Sequence, residues 1–136
     1  MANKINVAII GVGDVASALV QGVENYKKKP DKIIGLLPEI TQYNVGDINF
    51  VLGVDVNSNK IGKDLSEAIF AYPNCNMNLF QPNFLDAPVV KGPVMDGLDS
   101  NIKNIVPVNS TQEPIDIIHE IKRKKVDVTV YRFIQK

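Results

Sequence analysis

The sequence predicts an α/β fold, a parallel sheet with helices packed against it. Residues 5–10 form a nearly continuous apolar run with β-branched members, the pattern of a strand buried on both faces. A helical spacing follows at once, with Ala16, Leu19, Val20, Val23 and Tyr26 at three- and four-residue steps. Two later runs, NFVLGVDV at 49–56 and VDVTVY at 126–131, read as strands that alternate with amphipathic segments. Such alternation implies parallel pairing.

The first helix is expected to end at Lys27, Lys28 and Lys29, just before Pro30. Basic side chains suit a helix C-terminus and proline stops the helix, so these lysines read as a solvated helix end rather than a ligand patch. Residues 31–47 contain Gly35, Pro38 and Gly46 and hold no period, so a long loop with one short element at most is expected. After the second strand, Ser58 or Asn59 is positioned to cap a short helix that buries Ile61, Leu65, Ala68 and Ile69. Residues 74–109 are rich in Asn, Pro, Gly and Asp, with short apolar runs at 87–90 and 102–108, and predict loops and short strands. Ser110-Thr111-Gln112-Glu113 matches a capping box, with Pro114 in the first turn and Ile115, Ile117, Ile118 and Ile121 forming the apolar side. This last helix is expected to end in the basic residues 122–125.

The 136 residues suit one domain, with no linker and no internal repeat, and 45% hydrophobic residues suffice for a core. Fifteen basic and fifteen acidic residues cancel, which argues against a nucleic-acid partner. The single cysteine, Cys75, forms no internal disulfide or zinc cluster, and nothing beside it in sequence suggests thiolate activation. The single histidine, His119, reads as a partly buried packing residue. Asp86, Asp96 and Asp99 have no metal-ligand spacing, so no metal is expected. No apolar stretch approaches the ~18 residues of a membrane span, and the expected setting is the cytoplasm, with no membrane partner.

Chemistry concentrates at VAIIGVGDVASAL, residues 7–19, where a buried strand meets a helix through G-x-G-x-x-A. Gly11 allows the tight turn, Gly13 lets a pyrophosphate approach the backbone, and Ala16 lets helix and strand pack closely. The N–H groups of residues 13–16, together with the helix dipole, favour an anion. The competing reading is a turn that needs glycine only for its dihedral angles. Asp55 ends the next strand, where a carboxylate accepts from an adenine ribose and disfavours a 2′-phosphate. It lies roughly twice as far along the chain as the usual ~20 residues, because residues 31–47 intervene. Lys60 nearby counts slightly the other way. Asp14 raises a conflict: acids suit a first turn, but like charges within about 5 Å of a diphosphate repel it. Either its side chain turns away and caps the helix, or dinucleotide affinity is reduced.

These segments, with GDINFVLGVDVNSNKIGKDLSEAIF and VVKGPVMDGL, resemble inositol-3-phosphate synthase (myo-inositol-1-phosphate synthase), in its archaeal and actinobacterial branch. The likeness runs from about Val7 to Val130. It implies a Rossmann-like fold that is incomplete relative to a full dinucleotide-binding fold: the N-terminal NAD-binding part only, truncated before the catalytic domain. It further implies NAD as cofactor and an isomerase that converts glucose 6-phosphate to inositol phosphate. By this resemblance Gly11, Val12, Gly13, Asp14 and Val15 form the pyrophosphate loop, while Asp55 and Asp64 contribute to NAD binding. The family usually has asparagine and cysteine at the positions of Asp14 and Val15. No catalytic residue is assigned to this chain. The partners implied are NAD, a separate chain supplying the missing domain, and further copies in a homo-oligomer. The alternative is a non-catalytic nucleotide-binding or interaction module derived from the family.

Overall fold

The computed structural model describes residues 4–32, 34–37, 39–95 and 100–132. The elements are β1 (Ile5–Ile10), α1 (Asp14–Lys28), β2 (Ile48–Asp55), α2 (Leu65–Ala68), β3 (Val89–Lys91), α3 (Ile117–Arg123) and β4 (Val128–Tyr131). All pairings are parallel, in the order β3-β2-β1-β4. This order is that of a doubly wound sheet, and it reverses at β1.

Strand β1 is central, and its side chains divide between two clusters. Val7 and Ile9 join Val12, Ala16, Val20, Val23, Leu65 and Ile69 under α1 and α2. Ala8 joins Leu52 and Val54 on the other face, against Ile117 of α3. Ile9, Leu52, Leu65 and Ile69 are shut off from solvent, and burial of each contributes ~1.5–3 kcal/mol relative to exposure. The register between β1 and β2 shifts after Val7, which faces Phe50, while Ala8 faces Leu52. The extra residue, Val51, changes the outward phase of β2, so Phe50 belongs to one cluster and Leu52 to the other.

Helix α1 ends as expected, with Lys27 and Lys28 in its last turn and Lys29 as C-cap. Several local expectations need correction. Residues 31–47 begin and end in two single 3₁₀ turns, Pro30–Lys32 and Val45–Asp47, the second closed by an Asn44–Asp47 capping box. Neither Ser58 nor Asn59 caps α2; that helix starts later, is one turn long, and is capped by Asp64. Residues 102–108 form turns and irregular chain rather than a strand. Residues 110–113 do not cap α3. Asp116 does, accepting from His119 N–H at 3.1 Å, because Pro114 and Ile115 remain outside the helix while Ile115 N–H pairs with the Lys91 carbonyl. His119 is exposed, and Ile118 is 67% exposed. The inward side of α3 is therefore the half-buried Ile117 and Ile121 with the buried Glu120, the latter held by Arg123 at 2.7 Å. Strand β4 begins at Val128, two residues later than the run VDVTVY suggests. Asp96 and Asp99 lie outside the described residues. Among the described residues, no helix is long and apolar enough to cross a membrane.

Candidate nucleotide-binding site

The turn after β1 lies where the sheet order reverses. Gly11 N–H donates to the Val54 carbonyl at 2.9 Å, and Gly11 adopts φ +93°. A Cβ there would lie 2.6 Å from the carbonyl oxygen of Arg132, just past β4. Glycine is thus demanded at residue 11 by the fold itself. Gly13 differs. It is the N-cap of α1 at φ −96°, ψ −162°, an ordinary extended conformation, and makes no side-chain cap. A Cβ on Gly13 would meet nothing within 4 Å. The fold does not require glycine there, whereas a group approaching the backbone would. The first bond of the α1 ladder is Ser17 N–H to the Gly13 carbonyl, at 2.9 Å. The N–H groups of Asp14, Val15 and Ala16 therefore precede the ladder, as donors available to an anion. The Val15 side chain is 47% exposed beside them.

Val12 is held through both of its backbone polar groups. Its N–H donates to Asp55 Oδ2 at 2.8 Å, and its carbonyl accepts from Lys60 Nζ at 2.6 Å and from Asn74 Nδ2 at 3.2 Å. Asp55 Oδ1 accepts from the N–H groups of Val56 and Asn57, at 2.8 and 2.9 Å. Three of the roughly four acceptor positions of this carboxylate are filled by backbone, which leaves room for about one hydroxyl. Lys60 is only 4% exposed and lies 4.0 Å from Asp55 Oδ2. Burial pulls its pKa below the ordinary lysine range, against the opposing pull of Asp55 and Asp14.

The Asp14 carboxylate turns onto the loop after Pro73. It accepts from the N–H groups of Cys75 and Asn76, at 2.8 and 3.0 Å, and lies 3.3 Å from Cys75 Sγ. The Asn76 amide in turn donates to the Asp14 carbonyl. The side chain turns away from the turn, as one of the two readings expected, but it binds another loop and does not cap its own helix, whose N-cap is Gly13 with no side-chain cap bond. Burial raises its pKa, yet the bonds from Cys75 and Asn76, with the Lys60 charge, outweigh that and hold it below the usual carboxylate range. The same contact pushes the Cys75 thiol up, away from thiolate.

Asp64 is not brought to the turn by any hydrogen bond. Its Oδ2 accepts from Ser66 N–H at 3.1 Å, Ser66 Oγ at 2.5 Å and Leu85 N–H at 3.0 Å, and its Oδ1 accepts from Ala87 N–H at 2.8 Å. It caps α2 and ties the chain entering β3. Burial works against its charge, but the bonds from Ser66, Leu85 and Ala87 outweigh that and lower its pKa. Its stabilising effect is therefore present above the unfolded carboxylate pKa of about 3.9 and is lost as pH falls through the lower folded value. Asp64→Asn is expected to cost about 1–3 kcal/mol near pH 7. The difference from wild type should shrink in urea unfolding at about pH 3, where the unfolded chain's carboxylate is protonated while the folded one is held charged.

Sequence reasoning missed the inward course of Lys60 and the roles of Asn74, Asn76 and Gln21. Gln21 accepts from the N–H groups of Leu79 and Phe80, at 2.9 and 3.1 Å, and so docks that loop on α1. Such contacts span about 60 residues and leave no local pattern. A separate cavity of about 500 Å³, lined by Lys91, Val94, Lys103, Val106, Val108 and Ser110, includes none of the predicted site residues.

No family model matches the chain. It is 40% identical over 132 residues to inositol-3-phosphate synthase of Mycolicibacterium smegmatis, covering 95% of this chain and 36% of that protein. Inositol-3-phosphate synthase of Mycobacterium tuberculosis is 38% identical over 130 residues, covering 93% and 35%. Among solved structures, a myo-inositol-1-phosphate synthase-related protein from Thermotoga maritima superposes with a TM-score of 0.72 at 26% identity, over 98% of this chain and 35% of that one. The chain thus spans about a third of the length of the relatives it matches. It is, over that third, a homologue of the inositol-3-phosphate synthases.

Proposed function

We propose that this chain is the NAD-binding portion of an inositol-3-phosphate synthase-like isomerase. The observation that carries the reading is Gly13: a position with no internal need for glycine, open on its Cβ side, at the head of α1. The N–H groups of residues 14–16 would receive the pyrophosphate there, and the remaining acceptor position on Asp55 would take a ribose hydroxyl. Lys60 aims its ammonium at the Val12 carbonyl and offers little surface charge to a 2′-phosphate. Asp55 therefore favours NAD over NADP. When bound, NAD would supply reversible hydride transfer on the sugar phosphate. This chain's residues bind and orient the adenosine and pyrophosphate end.

The match covers about 36% of the relative's length. Turnover of glucose 6-phosphate is accordingly expected to need the remainder of that length, in the same chain or from another. The same coverage favours, as second reading, a nucleotide-binding module derived from the family. Calorimetric titration with NAD, ADP-ribose and AMP tests the binding shared by both. NAD and ADP-ribose are expected to bind with similar affinity, since the contacts named lie at the ADP-ribose end. No binding below about millimolar, some 4 kcal/mol, would sink the proposal. Glucose 6-phosphate turnover by the isolated chain with NAD would overturn the expectation that more of the relatives' length is required.

A further inference from the structure

We propose that Lys60 is a positioning residue for nucleotide binding: its buried ammonium clamps the Val12 carbonyl and holds the glycine turn ready for an anion. The proposal rests on the nucleotide-binding reading above. A lysine only 4% exposed is costly, because an ammonium removed from water needs compensating partners. Lys60 finds the Val12 carbonyl at 2.6 Å, Asn74 Oδ1 at 2.8 Å and Asp55 Oδ2 at 4.0 Å. These groups come from three different segments: the turn, the loop after Pro73 and the end of β2. The amide and carbonyl of Val12 are thereby both held, by the neighbouring Asp55 and Lys60 side chains. Because α1 begins two residues later, at Asp14, this grip sets where its first N–H groups stand.

The charge matters as much as the grip. Two carboxylates, Asp14 and Asp55, flank the turn, and both act electrostatically on Lys60. Without a cation beneath it, a turn so flanked would repel a diphosphate. Lys60 offsets that charge without occupying the open side at Gly13. The loop after Pro73 adds Asn74, which does not titrate, and Cys75, which contacts Asp14. Among the described residues hydrogen-bonded to Asp14, Asp55 or Lys60, Cys75 is the other group able to titrate on the alkaline side.

The test titrates NAD and ADP-ribose into the wild-type chain, Lys60→Met and Cys75→Ser at about pH 7 and about pH 10, with thermal unfolding alongside. Lys60→Met is expected to bind both ligands at least about tenfold more weakly while its melting temperature holds, since methionine fills similar volume without a buried charge. Wild type and Cys75→Ser should both lose affinity at the higher pH, and Lys60→Met should not. A folded Lys60→Met with wild-type affinity would overturn the proposal. So would an alkaline loss that persists in Lys60→Met or vanishes in Cys75→Ser. Should Lys60→Met fail to fold, the comparison of wild type with Cys75→Ser decides. Should wild type bind neither ligand, the nucleotide reading fails. The clamp is then judged on amide NMR spectra of the free protein, where deprotonating Lys60 should move the Gly13–Ala16 resonances, and unmoved resonances would refute it.

Discussion

Gly11→Ala is expected to lower stability by about 2–5 kcal/mol, combining backbone strain with overpacking. At φ +93° an L-residue is disfavoured whatever surrounds it. Here the new Cβ would also lie 2.6 Å from the Arg132 carbonyl oxygen. That carbonyl is part of the chain leaving β4, and Arg132 N–H itself donates to the Ile10 carbonyl at 3.1 Å. Relief by movement therefore breaks the end of the β1–β4 pairing, and relief by rotating Gly11 breaks its bond to Val54. At roughly 3–4 °C per kcal/mol for a domain of this size, the melting temperature should fall by about 10 °C. A fall of less than about 2 °C would mean that the turn opens away from β4 almost freely. Nucleotide affinity should fall with it, because the first turn of α1 moves.

Gly13→Asn is expected to leave stability level or slightly raised and still weaken binding. Asparagine is among the favoured N-cap residues, and Gly13 already has extended N-cap dihedrals. Nothing lies within 4 Å of its Cβ position, so the protein can accept the side chain without strain. The melting temperature should stay level or rise slightly, since the substitution also removes freedom from the unfolded chain. NAD affinity should drop at least about tenfold, because the side chain occupies the space through which a phosphate reaches the backbone N–H groups. Unchanged affinity in this variant would show that the ligand does not approach at Gly13. Together the two glycines separate structural need from ligand need within one motif, which the sequence pattern alone cannot do.

The legible parts of the fold were those set by local repetition. The apolar run before Gly11, the three- and four-residue spacing through Tyr26 and the run ending at Asp55 each report one face of one element. Boundaries were less legible where caps compete. Ser110 and Glu113 have capping-box spacing, yet Ile115 pairs with Lys91 and delays α3 until Asp116 can cap it. The bulge at Val51 was illegible for a different reason: it exists only in the register between two strands, and no alternation in β2 alone reveals it.

The candidate site divides in the same way. By itself the sequence determined the glycine turn, its place between strand and helix, Asp55 at the end of the next strand and the kinship with inositol-3-phosphate synthase. These follow from residues near one another in the chain. Only the tertiary structure decided the directions of the charged side chains. Asp14 turns to the backbone of Cys75 and Asn76, Asp64 holds Leu85 and Ala87, and Lys60 runs inward to Val12. Each of these choices is made by a partner 21 to 62 residues away. A charged group settles where unpaired backbone groups and low exposure make its hydrogen bonds strongest, and those places exist only once the sheet has formed.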